Sequence, residues 1–76
     1  MTTLNTLPVG SNATIKEIEG LDQTVDQRLL SLGMVPGVAV RVVQVAPLGD
    51  PIAVEFQGRT LGLRSKEASG VRLEAV

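Results

Sequence analysis

The apolar positions of the chain fall into short alternating runs, with one exception that follows a helical period. Ala13 and Ile15 share a face in residues 13–19, but Ile18 falls on the other face. The alternation therefore slips near Lys16-Glu17, which predicts a bulge or a strand end there. In residues 38–46, Val38, Val40 and Val42 share one face before Val43 and Val45 take over. A change of phase inside one valine run predicts a strand bent enough to serve both sides of a small barrel. Residues 52–56 alternate without a slip, placing Ile52, Val54 and Phe56 inward. Gln57-Gly58-Arg59 then turns the chain into 60–64, where Leu61 and Leu63 face in. The final strand, 71–76, turns Val71, Leu73 and Ala75 inward.

The exception is the segment from Asp22 to Gly33. Val25, Leu29 and Leu32 recur at i, i+4, i+7 and make one helical stripe. Thr24 with Gln27 has the spacing of a capping box, and Asp22 competes as the N-cap. Gly33 is placed as the left-handed residue that ends the helix, so Met34 should pack back onto Leu29 in a Schellman motif. Val35-Pro36-Gly37-Val38 fits a type II turn, with proline at i+1 and glycine at i+2. Residues 4–10 suit an extended entry segment around Pro8. Ser65 offers an N-cap for one helical turn that Gly70 stops, and Gly62 marks a bend in an otherwise apolar strand. The prediction is mainly β: a small, partly open, five-stranded antiparallel SH3-like barrel, with one short α-helix after the first strand and a helical turn before the last. With 76 residues and no internal repeat or linker, the chain reads as a single domain over 1–76.

Composition narrows the chemistry. There is no cysteine and no histidine, so neither a Cys-His or Ser-His nucleophile pair nor a Cys/His zinc site can be built. The eight acidic residues are scattered, with Glu17/Glu19 and Asp22/Asp26 the nearest groupings, and these read as solvated surface charge. No catalytic residue, cofactor or metal site is expected. A net charge of −1, basic residues in no run and a single phenylalanine argue against a nucleic-acid footprint. No stretch is long and apolar enough for a membrane span. Residues 1–10 lack the charged and apolar regions of a secretion signal, so the expected compartment is the cytosol, without membrane insertion.

Excess apolar residues supply the candidate contacts. With Val25 at zero, Leu29 and Leu32 lie within about 40° of it, whereas Leu30 lies near 140°, off the stripe. Leu30 is thus the spare leucine, and with Val35 beside it would form a patch of the kind that marks partner sites. Arg28 borders the stripe, with an ion pair or helix-end contact as its ordinary role. Leu48, at the tip of the proline-bounded loop PLGDP (47–51), has no strand partner. The expected partner-binding residues are Arg28, Leu30, Val35 and Leu48. Arg59, Arg64, Lys66 and Arg72, alternating with Glu67 and Glu74, read as a mixed solvated face.

Taken in order, R-L-x-x-L-G-x-x-P-G at 28–37, P-L-G-D-P-I at 47–52, L-G-L-R at 61–64 and Glu67-Ala68 resemble the FeoA family over nearly the whole chain, from about Leu4 to Val76. The resemblance implies an SH3-like barrel that serves ferrous iron uptake. It would be a cytosolic accessory protein docking on the ferrous iron transporter FeoB, a polytopic membrane protein with a cytosolic GTPase domain. Docking would modulate the transporter's assembly or its GTPase-linked transport. The domain is also similar to the C-terminal module of metal-dependent repressors of the diphtheria-toxin-repressor type, so the alternative is a detached regulatory module of such a repressor. Exposed strand edges leave homo-oligomerisation open.

Overall fold

A computed structural model describes residues 2–20 and 22–75. Its elements are β1 (Thr2–Thr3), a 3₁₀ turn (Leu4–Thr6), β2 (Asn12–Ile18), α1 (Gln23–Ser31), β3 (Ala39–Val45), β4 (Ile52–Phe56), β5 (Arg59–Leu63), α2 (Ser65–Ala68) and β6 (Val71–Ala75). All strands belong to one antiparallel sheet in the order β1-β6-β2-β3-β4-β5. Inward residues of β2, β3, β4, β5 and β6 meet in a single buried cluster with Leu29 and Met34. A sheet whose one face closes on a common core must curl around it. The end strands β1 and β5 do not pair with each other, so the curl stays open.

Both predicted slips are present. The β2–β6 register shifts between Ile15 and Glu17, and the β3–β4 register shifts between Val42 and Gln44. Each extra residue bends its strand and lets one strand feed two sides of the core.

The N-terminal segment differs from the expectation. Thr2 and Thr3 pair with Leu73 and Arg72 as a sixth strand, and the chain then turns in a 3₁₀ helix instead of running extended. Local hydroxyl chemistry favours the turn: Thr6 Oγ1 donates to the Thr3 carbonyl at 2.9 Å. The turn drops Leu4 fully into the core.

Helix α1 begins earlier than the Thr24–Gln27 capping box requires. Asp22 is the N-cap, its Oδ1 accepting from the Thr24 amide at 3.2 Å. A carboxylate there also meets the positive end of the helix dipole, which a threonine hydroxyl does not. The C-terminus follows the expectation in detail. Gly33 has φ +93°, its N–H donates to Leu30 O at 3.0 Å, and the Met34 N–H donates to Leu29 O at 3.0 Å. Those two bonds are the Schellman pair, and they deliver Met34 into the core beside Leu29. Val38 N–H then closes the turn on Val35 O at 3.2 Å, with Gly37 at φ +95°. Val25 and Leu32 are half-buried against the cluster.

Ser65 is not the cap of α2. Arg64 holds the N-cap position, and its amide donates to Glu67 Oε1 at 2.9 Å. The Ser65 amide, the first of α2, donates to Asp50 Oδ1 at 2.9 Å in a charge-assisted bond. The 47–51 loop is thereby tied to α2. The expected inward position of Ala75 lies outside the described side chains, whereas Val71 and Leu73 are buried as expected.

Candidate partner-binding surface

Leu29 and Leu30 are neighbours with opposite fates: Leu29 is fully buried and Leu30 is 56% exposed. The 100° step between consecutive helical residues is the whole reason. Leu30 opens onto a cleft of about 240 Å³ between α1 and the end of β2, which Val35, Pro36, Ile18, Asp26 and Glu17 also line. The Schellman end and the type II turn hold Val35 beside Leu30, so the two expected contact residues do share a surface. Its floor is Met34, a deformable side chain suited to an induced fit.

Two carboxylates rim this cleft, and charge pairing separates them. Glu17 and Glu19 both accept from the Arg72 guanidinium. Asp26 makes no ion pair among the described residues. The surface is therefore an apolar strip with one uncompensated negative charge, complementary to an apolar side chain flanked by a cation.

Arg28 lies on the neighbouring face of α1 and donates to Glu67 Oε2 at 2.7 Å, linking α1 to α2. Its ordinary expected role, an ion pair, is the one the structure gives it. Leu48 is 96% exposed, at the tip of a turn closed by Gly49 N–H on Ala46 O at 2.7 Å. It sits beyond the C-terminal end of β3, whereas Val35 precedes the N-terminal end. Seven strand residues, roughly 20 Å of β3, lie between them. Leu30 and Val35 thus belong to one cleft, and Leu48 lies apart from it.

Sequence reasoning missed the structural work of two arginines grouped with the solvated face. Arg59 donates to the Leu32 carbonyl at 2.6 Å and lies over the Phe56 ring, 5.4 Å from its centre. Arg72 bridges Glu17 and Glu19. The second was open to discovery, since Glu17 in β2 and Glu19 just past its end are two residues apart and share a face, and Glu17 pairs with Arg72 of β6. The first depends on the β4–β5 hairpin folding over the end of α1, which no local pattern encodes. Among the described residues no group of three or more carboxylate, histidine or cysteine side chains could hold a metal ion, and no helix is long and apolar enough to cross a membrane.

Residues 2–75 match the FeoA domain family model. A Porphyromonas gingivalis protein described as an Fe(2+) transport protein A/Fe(2+) transporter FeoB fusion is 33% identical over 73 residues, which is 96% of this chain and 8% of the relative. The chain thus spans less than a tenth of that relative's length. The solution structure of the Chlorobium tepidum FeoA protein is 35% identical with a TM-score of 0.92, covering 99% of this chain and 70% of the other. The crystal structure of Stenotrophomonas maltophilia FeoA, described as a zinc complex and a prokaryotic SH3 domain protein, is 31% identical with a TM-score of 0.86, over 97% and 91% of the chains. A manganese-dependent transcriptional repressor, 21% identical with a TM-score of 0.90 over 99% and 36%, shares the fold alone. The SH3-like expectation is met, with a sixth strand added.

Proposed function

Because the chain belongs to the FeoA family, we propose that it is a non-catalytic accessory module of ferrous iron uptake that docks in the cytosol on the FeoB transporter. The observation that carries this reading is the fusion relative, in which a FeoA-like segment similar along 96% of this chain is part of one polypeptide with a FeoB transporter. Covalent linkage raises the effective concentration of a partner domain, and it is useful where the two already meet.

The cleft holding Leu30 and Val35 is the docking centre in this proposal. Burial of the two side chains supplies the apolar core of the contact, and Asp26 orients a basic residue of the transporter. Leu48 makes a second, separate contact, and Arg28 stiffens the α1–α2 pair that carries the cleft. The effect on the transporter is exerted through assembly or its GTPase cycle.

The test is an amide NMR titration of the labelled chain with the cytosolic GTPase domain of the transporter. Shifts should centre on Leu30 and Val35, with a second set at Leu48. Leu30→Asp should abolish them while leaving the spectrum of a folded domain. Undiminished binding by that folded variant would refute the cleft as the docking centre.

A further inference from the structure

The sheet ends at β5, and that edge is bare. The two-residue turn Gln57-Gly58, with φ of 50° and 76°, makes Phe56 and Arg59 a hydrogen-bonded pair. Alternation then aims the main-chain groups of Arg59, Leu61 and Leu63 at β4 and those of Thr60 and Gly62 away from it. Thr60 and Gly62 are both exposed, and their N–H and C=O groups have no hydrogen-bond partner among the described residues. The space where a Cβ of Gly62 would project is empty to 4 Å. Edge strands are ordinarily blunted by proline, lysine or a bulge. None of these interrupts Arg59–Leu63, which pairs with β4 without a register shift.

We propose that β5 is the self-association surface of this protein, pairing antiparallel with β5 of a second copy about a two-fold axis through Leu61. In that register Thr60 faces Gly62 of the second copy, and each pair exchanges both main-chain bonds, giving four in all. Leu61, half-buried in one copy, meets its own symmetry mate. Glycine at 62 allows the close backbone approach that a pairing edge requires.

Charge chooses a second copy as the occupant. Glu55 is exposed, stands beside Thr60 across β4–β5 and has no ion pair among the described residues. Arg64 is still in extended backbone at φ −69° and ψ 146°, so its side chain shares the face of Thr60 and Gly62. It is 69% exposed and reaches Asp50 only at 3.8 Å. In the two-fold register Arg64 of one copy falls diagonally across from Glu55 of the other. The offset is two strand spacings of about 4.8 Å and two residues of about 3.3 Å along the strand, about 12 Å between Cα atoms, which the two long side chains span together. The symmetry makes the pair twice.

The contact is small, so a dissociation constant on the order of 1 mM is expected. The experiment is amide NMR and translational diffusion of the whole chain from roughly 50 μM to 2 mM, a range that brackets that constant. Thr60 and Gly62 amides should shift and exchange several-fold more slowly as concentration rises, while diffusion slows. Gly62→Pro removes only the outward N–H and should leave a folded monomer. Because proline can also perturb folding, charge provides a second test. Glu55→Arg should weaken association, and adding Arg64→Glu should restore it. A monomer throughout, or a dimer that leaves Thr60 and Gly62 unchanged, would overturn the proposal. Slowing of those two amides only when the transporter's GTPase domain is added would overturn it as well, assigning the edge to a strand of that partner.

Discussion

Arg59 closes the C-terminus of the helix from another part of the chain: its Nη2 donates to the carbonyl oxygen of Leu32 at 2.6 Å. Leu32 is the C-cap of α1, where main-chain carbonyls run out of intrahelical donors. The guanidinium also lies over the ring of Phe56, a core residue of β4. One side chain thus fixes the β4–β5 hairpin against the end of the helix.

Replacing Arg59 should therefore cost more than a surface arginine normally does. Arg59→Ala removes a charge-assisted hydrogen bond and the contact with Phe56, together about 1–3 kcal/mol. Arg59→Lys keeps charge but not the planar fork, and should recover less than half of that loss. Urea unfolding of the two variants checks the ranking, since a freely solvated Arg59 would leave both within about 0.5 kcal/mol of the parent.

The adjacent leucines of α1 give the sharpest contrast. Leu29→Ala should cost about 2–5 kcal/mol, because Leu29 is fully buried and its removal leaves a cavity in a small core. Leu30→Ala should change stability by less than about 0.5 kcal/mol, since the side chain is more than half exposed. Thermal melts would show the first variant lowered by about 8 °C or more, at roughly 4–8 °C per kcal/mol in a domain of this size.

That contrast was legible from the helical period, and so was most of the fold. The slips at Lys16-Glu17 and Val42-Val43, the Schellman end and the type II turn all rest on residues within a few positions of one another. What escaped was set by distant acceptors. Asp50 took the Ser65 amide across 15 residues, and Arg59 reached back 27 residues to Leu32. The N-terminal strand also escaped, because two threonines carry no alternation and pair only once β6 is in place. For the candidate surface, the spare leucine could be identified by angle. The separation of Leu48 from Leu30 and Val35 could not, because it depends on which end of β3 each flanks.

Two glycines with positive φ should respond differently to alanine. Gly33 and Gly37 have φ of +93° and +95°, so both substitutions carry the left-handed penalty, about 1 kcal/mol. A Cβ at Gly37 would meet nothing within 4 Å, whereas at Gly33 it would lie 3.2 Å from Gln57 Oε1. Gly33→Ala should be the more destabilising in equilibrium unfolding. Part of its excess should vanish in a Gln57→Ala background, and equal losses at the two sites would show that the neighbouring amide simply moves aside.

The Arg28–Glu67 pair divides unequally between its partners. Arg28 is about half exposed, so losing its ion pair should cost no more than about 1 kcal/mol. Glu67 does more, since its other oxygen accepts the Arg64 amide that opens α2. Glu67→Ala therefore loses a helix cap as well as the ion pair and should exceed Arg28→Ala by about 0.5–2 kcal/mol. Glu67→Gln keeps an acceptor for the amide and should fall between them. A double-mutant cycle in urea separates the terms: the coupling between Arg28 and Glu67 should shrink in high salt, while the capping loss, which does not depend on Arg28, should persist.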